Sequence, residues 1–129
     1  MSGFTAFVLD DDSRRLLISS LSGLIPKGWE VLAHHMTINM GGPENGPANG
    51  MLGSRGELWV TAIGIDNRVL AVAVETEIPS KNAQKHVTIA VNRRDGGKPV
   101  HSNELDFVYP DSDLRRSELY KNPLHGTVQ

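Results

Sequence analysis

Two short segments of the chain share the pattern histidine, hydrophobic residue, threonine, isoleucine. The first is His35-Met36-Thr37-Ile38, and His86-Val87-Thr88-Ile89 begins 51 residues after it. Both lie in stretches rich in β-branched and aliphatic residues, which predicts a strand for each. Because side chains alternate across a strand, each histidine shares a face with the threonine two places on, and the apolar residues occupy the other face. Each predicted strand therefore has one reactive face and one apolar face.

Two imidazoles and two hydroxyls that converge on one small volume suit in-line attack on phosphorus. A neutral imidazole accepts a proton from water or a ribose hydroxyl, and a protonated one gives a proton to the departing oxygen. Histidine suits both roles because its unperturbed pKa is about 6.5. Threonine hydroxyls donate hydrogen bonds to the non-bridging phosphate oxygens and stabilise the transition state without a cation. The pattern predicts a metal-independent phosphodiesterase without a cofactor, and its symmetry leaves open which histidine is the base.

This pair of segments resembles the signature of the two-histidine (2H) phosphoesterase superfamily, which is two His-x-Thr/Ser-x elements flanked by hydrophobic residues. The segments 33–38, 85–92 and 96–99 carry the resemblance and are most similar to its RNA-repair-like branch. The resemblance implies an α+β, bilobal fold with two small antiparallel sheets flanking a central cleft. It also implies that His35 and His86 lie on facing central strands.

The resemblance further implies residue roles and a class of substrate. The residues it assigns to catalysis and phosphate binding are His35, Thr37, His86 and Thr88, and those it assigns to further polar contacts with substrate are Ser102 and Asn103. The implied substrate is RNA that ends in a 2′,3′-cyclic phosphate, or a small cyclic nucleotide. Two alternatives stay open: a phage-type phosphodiesterase that degrades a cyclic oligonucleotide signal, and a module that binds a nucleotide in the same cleft without turnover.

Length, charge and cysteine content limit the other possibilities. A chain of 129 residues with 39% hydrophobic content predicts a single domain over 1–129. A net charge of -2 and a pI near 6.2 disfavour binding of long nucleic acid through a basic surface. The chain has no cysteine, which excludes disulfides and thiolate metal sites. No stretch approaches the roughly 18 apolar residues of a membrane helix, so we expect a cytoplasmic protein. Oligomeric state is not predicted.

The remaining histidines and the basic residues near the second motif have competing interpretations. Because neighbours on a strand point apart, we expect His34 to be a core or edge residue, and a metal site that combines it with His35 is disfavoured. His101 and His125 are expected at the surface. Arg93 and Lys98 follow the second motif and are expected to steer an anionic substrate, although such charged turns are often only solvated. No phosphate-loop pattern is present.

The pattern of apolar residues predicts the elements that position the motifs. A strand over 4–9 is followed by a helix that begins near Asp10, buries Leu17, Leu21 and Leu24, and ends near Gly23 and Pro26. Further predicted elements are a long strand over 29–40, a hairpin of 57–65 and 68–78 with a central second strand, a strand over 86–91, a short helix over 112–120 and an edge strand over 124–128. The Gly- and Pro-rich segment 41–56 is either a lid or an irregular connection.

Overall fold

The centre of the sheet forms from the most apolar segment of the chain. In a computed structural model, which describes residues 3–109 and 118–129, Val69–Glu75 forms strand β5 and its residues 69–74 are all buried. Strand β4 (Arg55–Ile65) pairs with β5 in antiparallel fashion. The Asp66 carboxylate accepts hydrogen bonds from the backbone N–H groups of Arg68 and Val69, at 2.7 and 3.0 Å, which fixes the turn between the strands. The predicted hairpin and its central second strand are confirmed.

In the described parts of the chain, seven strands form one antiparallel sheet that includes this hairpin. The other five are β1 (Phe4–Leu9), β2 (Glu30–Val31), β3 (His35–Met40), β6 (His86–Val91) and β7 (Leu124–Val128), and the order is β2-β6-β5-β4-β7-β1-β3. The two small antiparallel sheets that were predicted correspond to two groups of strands, β4-β7-β1-β3 and β2-β6-β5-β4, which are joined into one sheet because β4 is long enough to pair with both. Its residues 55–58 pair with β7, and its residues 59–65 pair with β5.

The positions of two strands in this order differ from prediction. β7 lies between β4 and β1, so it is an interior strand and not an edge strand. β3 is an edge strand and not a central one, whereas β6 is an interior strand between β5 and the two-residue strand β2. β3 and β6 nevertheless come within 8 Å of each other, measured between Cα atoms. The sheet therefore curls until its two ends face each other.

The predicted long strand over 29–40 is broken in two. Residues 30–31 pair with β6, whereas residues 35–40 pair with β1. Ala33 lies between them with a φ of 47°, in the left-handed region that residues other than glycine rarely adopt. The strand is interrupted at Ala33 because the chain leaves β6, near one end of the curled sheet, and joins β1, near the other end.

Two short helices complete the described structure. Helix α1 (Asp11–Leu21) buries Leu17 and Leu21 as predicted, but Leu24 follows the helix and is 45% exposed. Helix α2 covers Glu118–Lys121 and buries Leu119. Residues 112–117 of the predicted helix over 112–120, including Leu114, lie outside the described residues. Within the described parts of the chain, no helix has the length and apolarity needed to cross a membrane.

Candidate active site

The curled sheet encloses a cleft of about 550 Å³ between its two ends. All four residues of the repeated motif line it: His35 and Thr37 from β3, and His86 and Thr88 from β6. The apolar residues between them point into the protein, since Met36 and Val87 are completely buried. The alternation of side chains along each strand thus directs the reactive groups of both motifs to one volume.

His35 is held in its neutral form by its surroundings. Burial lowers the pKa of its imidazole to about 4, and the nearby rings of His34 and His86 lower this pKa as well. The ring of Phe4 packs against it with 4.9 Å between ring centroids. At neutral pH, His35 therefore carries no charge and can accept a proton.

His86 is oriented by the backbone of the loop before its strand. The side chain is 6% exposed, and its Nδ1 lies 2.8 Å from the carbonyl oxygen of Gln84. Because a carbonyl only accepts hydrogen bonds, the proton lies on Nδ1 of His86. Nε2 is then the ring nitrogen left for proton exchange with a ligand.

The two threonines are supported in different ways. The hydroxyl oxygen of Thr88 lies 2.8 Å from that of Ser102, whose side chain is completely buried in the 3₁₀ segment Pro99–Glu104. On the other strand, Ser80 donates a hydrogen bond from its hydroxyl to the backbone carbonyl of Thr37 at 2.8 Å. The backbone N–H of Lys81 donates to the carbonyl of Ile38 at 2.7 Å. The loop after β5 is therefore fixed on β3 at the rim of the cleft.

The residues expected to contact substrate outside the motif fall in different places. Asn103 lines the cleft, whereas Arg93, Lys98 and Ser102 do not. The guanidinium of Arg93 lies 2.9 Å from a carboxylate oxygen of Glu30 on β2. Ser102 lies behind Thr88 and contacts its hydroxyl, so it is placed to orient that side chain.

The structure adds residues that the sequence reading did not assign to the cleft. Lys81, Asn82 and Phe4 line it. Lys81 lies in a predicted turn after β5, and a turn pattern carries no information about which surface the turn packs on. The docking of that turn on β3, through the backbone N–H of Lys81, is what brings Lys81 to the rim of the cleft.

The prediction for His34 is wrong. Its side chain is exposed and lines the same cleft as His35. Side chains do not alternate at this position because β3 begins at His35, so His34 lies outside the regular strand and follows the left-handed Ala33. The Nδ1 atoms of His34 and His35 are 3.0 Å apart.

The segment 41–56 and the two histidines His101 and His125 do not line the cleft. For 41–56, this position favours the interpretation of the segment as an irregular connection. His125 is exposed on β7, and His101 accepts a hydrogen bond at Nδ1 from the backbone N–H of Lys98 at 3.1 Å. Among residues 3–109 and 118–129, no three His, Cys, Asp or Glu side chains group in a way that could hold a metal ion.

Comparison with known proteins adds no family assignment to this geometry. No protein-family model, curated protein or solved structure matches the chain.

Proposed function

We propose that this protein is a 2H-type phosphodiesterase that hydrolyses a 2′,3′-cyclic phosphate at an RNA end or in a small nucleotide without a metal ion. The observation that carries the proposal is that two His-x-Thr motifs from opposite ends of one sheet line a single cleft. The volume of about 550 Å³ suits a nucleotide-sized ligand. A cytoplasmic location stays a prediction from the sequence.

The environments of the two histidines support different roles. His35 is neutral at pH 7 and serves as the base: its Nε2 takes a proton from water as the water oxygen attacks phosphorus. His86, whose Nδ1–H is bonded to the Gln84 carbonyl, serves as the acid and gives the proton on Nε2 to the ribose oxygen that leaves. One P–O bond forms and one breaks, and the net result is addition of water.

The hydroxyls and the lysine support the binding of the phosphate. The Thr88 hydroxyl donates a long hydrogen bond of 3.5 Å to the backbone carbonyl of Pro99. When Ser102 donates its hydroxyl proton to the Thr88 oxygen, the Thr88 proton can turn from this carbonyl to a non-bridging phosphate oxygen. Thr37 occupies the matching position on β3 and lines the same cleft. Lys81 supplies a positive charge at the rim, where it attracts the anion.

The apolar wall of the cleft supports a ligand that also carries a base or sugar. Phe4, Met40 and Val100 line the cleft and are 43%, 74% and 61% exposed. Exposed apolar side chains beside polar catalytic groups are typical of sites for partly aromatic ligands. Inorganic phosphate alone would leave this surface uncovered.

The test is hydrolysis of a 2′,3′-cyclic nucleotide and of a short RNA with a cyclic end, in the presence of EDTA. Wild type and His125→Ala, which changes an exposed histidine outside the cleft, are expected to turn over. His35→Ala and His86→Ala are each expected to lose about 100-fold or more, the usual contribution of a positioned acid or base. Full activity in either variant would refute the proposal.

Two outcomes would favour the alternatives. Turnover of cyclic di- or trinucleotides with none on RNA ends would identify an enzyme of cyclic oligonucleotide signals. Tight nucleotide binding with no turnover on any of these substrates would identify a binding module.

A further inference from the structure

We infer that His34 is a positioning residue that accepts a hydrogen bond from Nδ1–H of His35 and thereby keeps the lone pair of His35 on Nε2, facing the substrate. The inference rests on the proposed function, because the role of His35 as base determines which of the two rings donates. The observation that carries it is the 3.0 Å separation of the two Nδ1 atoms in a shared cleft.

The geometry of the pair is that of a directed hydrogen bond. The two ring centroids are 5.3 Å apart and the planes meet at 80°, so one ring presents its edge to the other. Two neutral imidazoles bond in this way only when one Nδ1 carries a proton and the other does not. A neutral histidine that donates from Nδ1 has its free lone pair on Nε2, which is the form a base needs.

The backbone holds His34 in this position from two sides. Its carbonyl oxygen accepts a hydrogen bond from the backbone N–H of Leu9 on β1 at 2.9 Å. Just before it, the N–H of Ala33 donates to the carbonyl of Thr88 on β6 at 3.1 Å. The left-handed φ of Ala33 lies between these anchors. Backbone strain of this kind is retained where the surrounding structure over-determines it, and it is frequent at functional sites.

A third anchor fixes the segment from the helix. Arg14 on α1 donates from Nε and from one terminal nitrogen to the carbonyl oxygen of Leu32, at 3.1 and 3.0 Å. The three anchors mean that the adjacent histidines are held on the same side of the chain, where a regular strand would separate them. His34 is exposed, so its own Nε2–H can be solvated while its Nδ1 accepts.

The first experiment reads the tautomer directly. Long-range proton–nitrogen correlation spectra of the ¹⁵N-histidine-labelled protein at pH 7 distinguish a protonated ring nitrogen from one with a free lone pair. We expect His35 to be protonated at Nδ1 and free at Nε2 in wild type, and to lose this preference in His34→Ala. A wild-type His35 protonated at Nε2 would overturn the inference, whatever the protein hydrolyses.

The second experiment separates hydrogen bonding from packing. Asparagine places an amide close to the position of Nδ1, whereas phenylalanine keeps a ring without a hydrogen-bonding atom. With a 2′,3′-cyclic nucleotide as substrate, we expect His34→Phe and His34→Ala to lower kcat about 2- to 10-fold with little change in KM, the effect of one net hydrogen bond. His34→Asn should recover most of that loss. Equal losses in His34→Asn and His34→Phe would overturn the inference.

The two proposals fail in distinguishable ways. If wild type hydrolyses none of the substrates, the proposed function fails, and the spectra still report whether His34 sets the tautomer of His35. If wild type is active and the spectra of His34→Ala are unchanged at His35, the inference about His34 fails alone.

Discussion

The hydroxyl of Ser102 lies 2.8 Å from the hydroxyl of Thr88 and is completely shielded from solvent. Ser102→Ala removes a partner that fixes the rotamer and the proton of Thr88. We expect kcat on a cyclic nucleotide to fall about 2- to 10-fold, the effect of one net hydrogen bond, while the protein stays folded. Steady-state kinetics measure the effect, and Ser19→Ala on the exposed face of α1 is the control. An unchanged kcat would show that Thr88 does not depend on this contact.

His35 should make the stability of the protein depend on pH in a defined window. Its pKa is lowered from 6.5 to about 4 in the folded state, so the unfolded chain binds the proton more tightly between these values. The free energy of unfolding therefore falls as the pH falls from 6.5 towards 4, and His35 costs nothing above that window. Urea unfolding at pH 7.5, 5.5 and 4.5 should show a smaller decrease in His35→Gln than in wild type. Parallel curves for His35→Gln and wild type would contradict the prediction.

The same pKa predicts the acid side of the rate profile. The ratio kcat/KM reports the ionisation of the free enzyme, so its acid limb should lie near the pKa of about 4 of His35 and not near 6.5. Activity at pH 5.5 should accordingly be no lower than at pH 7, because His35 stays unprotonated and His86, the proposed acid, must keep its Nε2 proton. An acid limb centred near 6.5 would mean that His35 is not the base.

Lys81 should contribute to substrate capture. Replacing its ammonium group in Lys81→Met should raise KM about fivefold, since one charge interaction near water contributes about 1 kcal/mol at contact. The effect should shrink as ionic strength rises, because salt screens the attraction. Lys98→Met is the matched control, since Lys98 does not line the cleft. Equal KM values for the two variants would refute the prediction.

Gly97 should be intolerant of a side chain. A Cβ at this position would lie 2.2 Å from the carbonyl oxygen of Arg68 and 2.8 Å from that of Asn92, both of which are backbone atoms. Gly97→Ala should cost about 1–3 kcal/mol of unfolding free energy, as overpacking usually does. It should also lower activity, because Ser102 and Asn103 follow on the same segment. Gly23→Ala meets no atom within 4 Å and should show no loss of unfolding free energy in urea.

The sequence predicts those features that depend on local pattern. The alternation of side chains in His35-Met36-Thr37-Ile38 and its partner predicts which groups face the cleft, and the apolar run 69–74 predicts the central strand. Positions that depend on distant pairing are not predictable in this way. The interior place of β7 and the docking of Lys81 on β3 both depend on hydrogen bonds between segments far apart in sequence.

The wrong prediction for His34 arises from the backbone conformation of the residue before it, Ala33. A period of two holds only while the backbone stays extended, and one residue in the left-handed region resets it. Ala33 gives no sign of that conformation in its residue type, because alanine rarely adopts it.

The interior position of β7 sets an order for the assembly of the sheet during synthesis. Strands β4, β5 and β6 can pair with one another as soon as they leave the ribosome, and β6 carries His86. Strand β1 can likewise pair with β3, which carries His35. Among the described strands, β7 is the one that makes ladder hydrogen bonds with both β1 and β4, so the sheet becomes continuous when residues 124–128 pair. A chain that stops before residue 124 would hold its two motifs together through the pairing of β2 with β6 and the contacts of Ala33 with Thr88 and of Lys81 with Ile38.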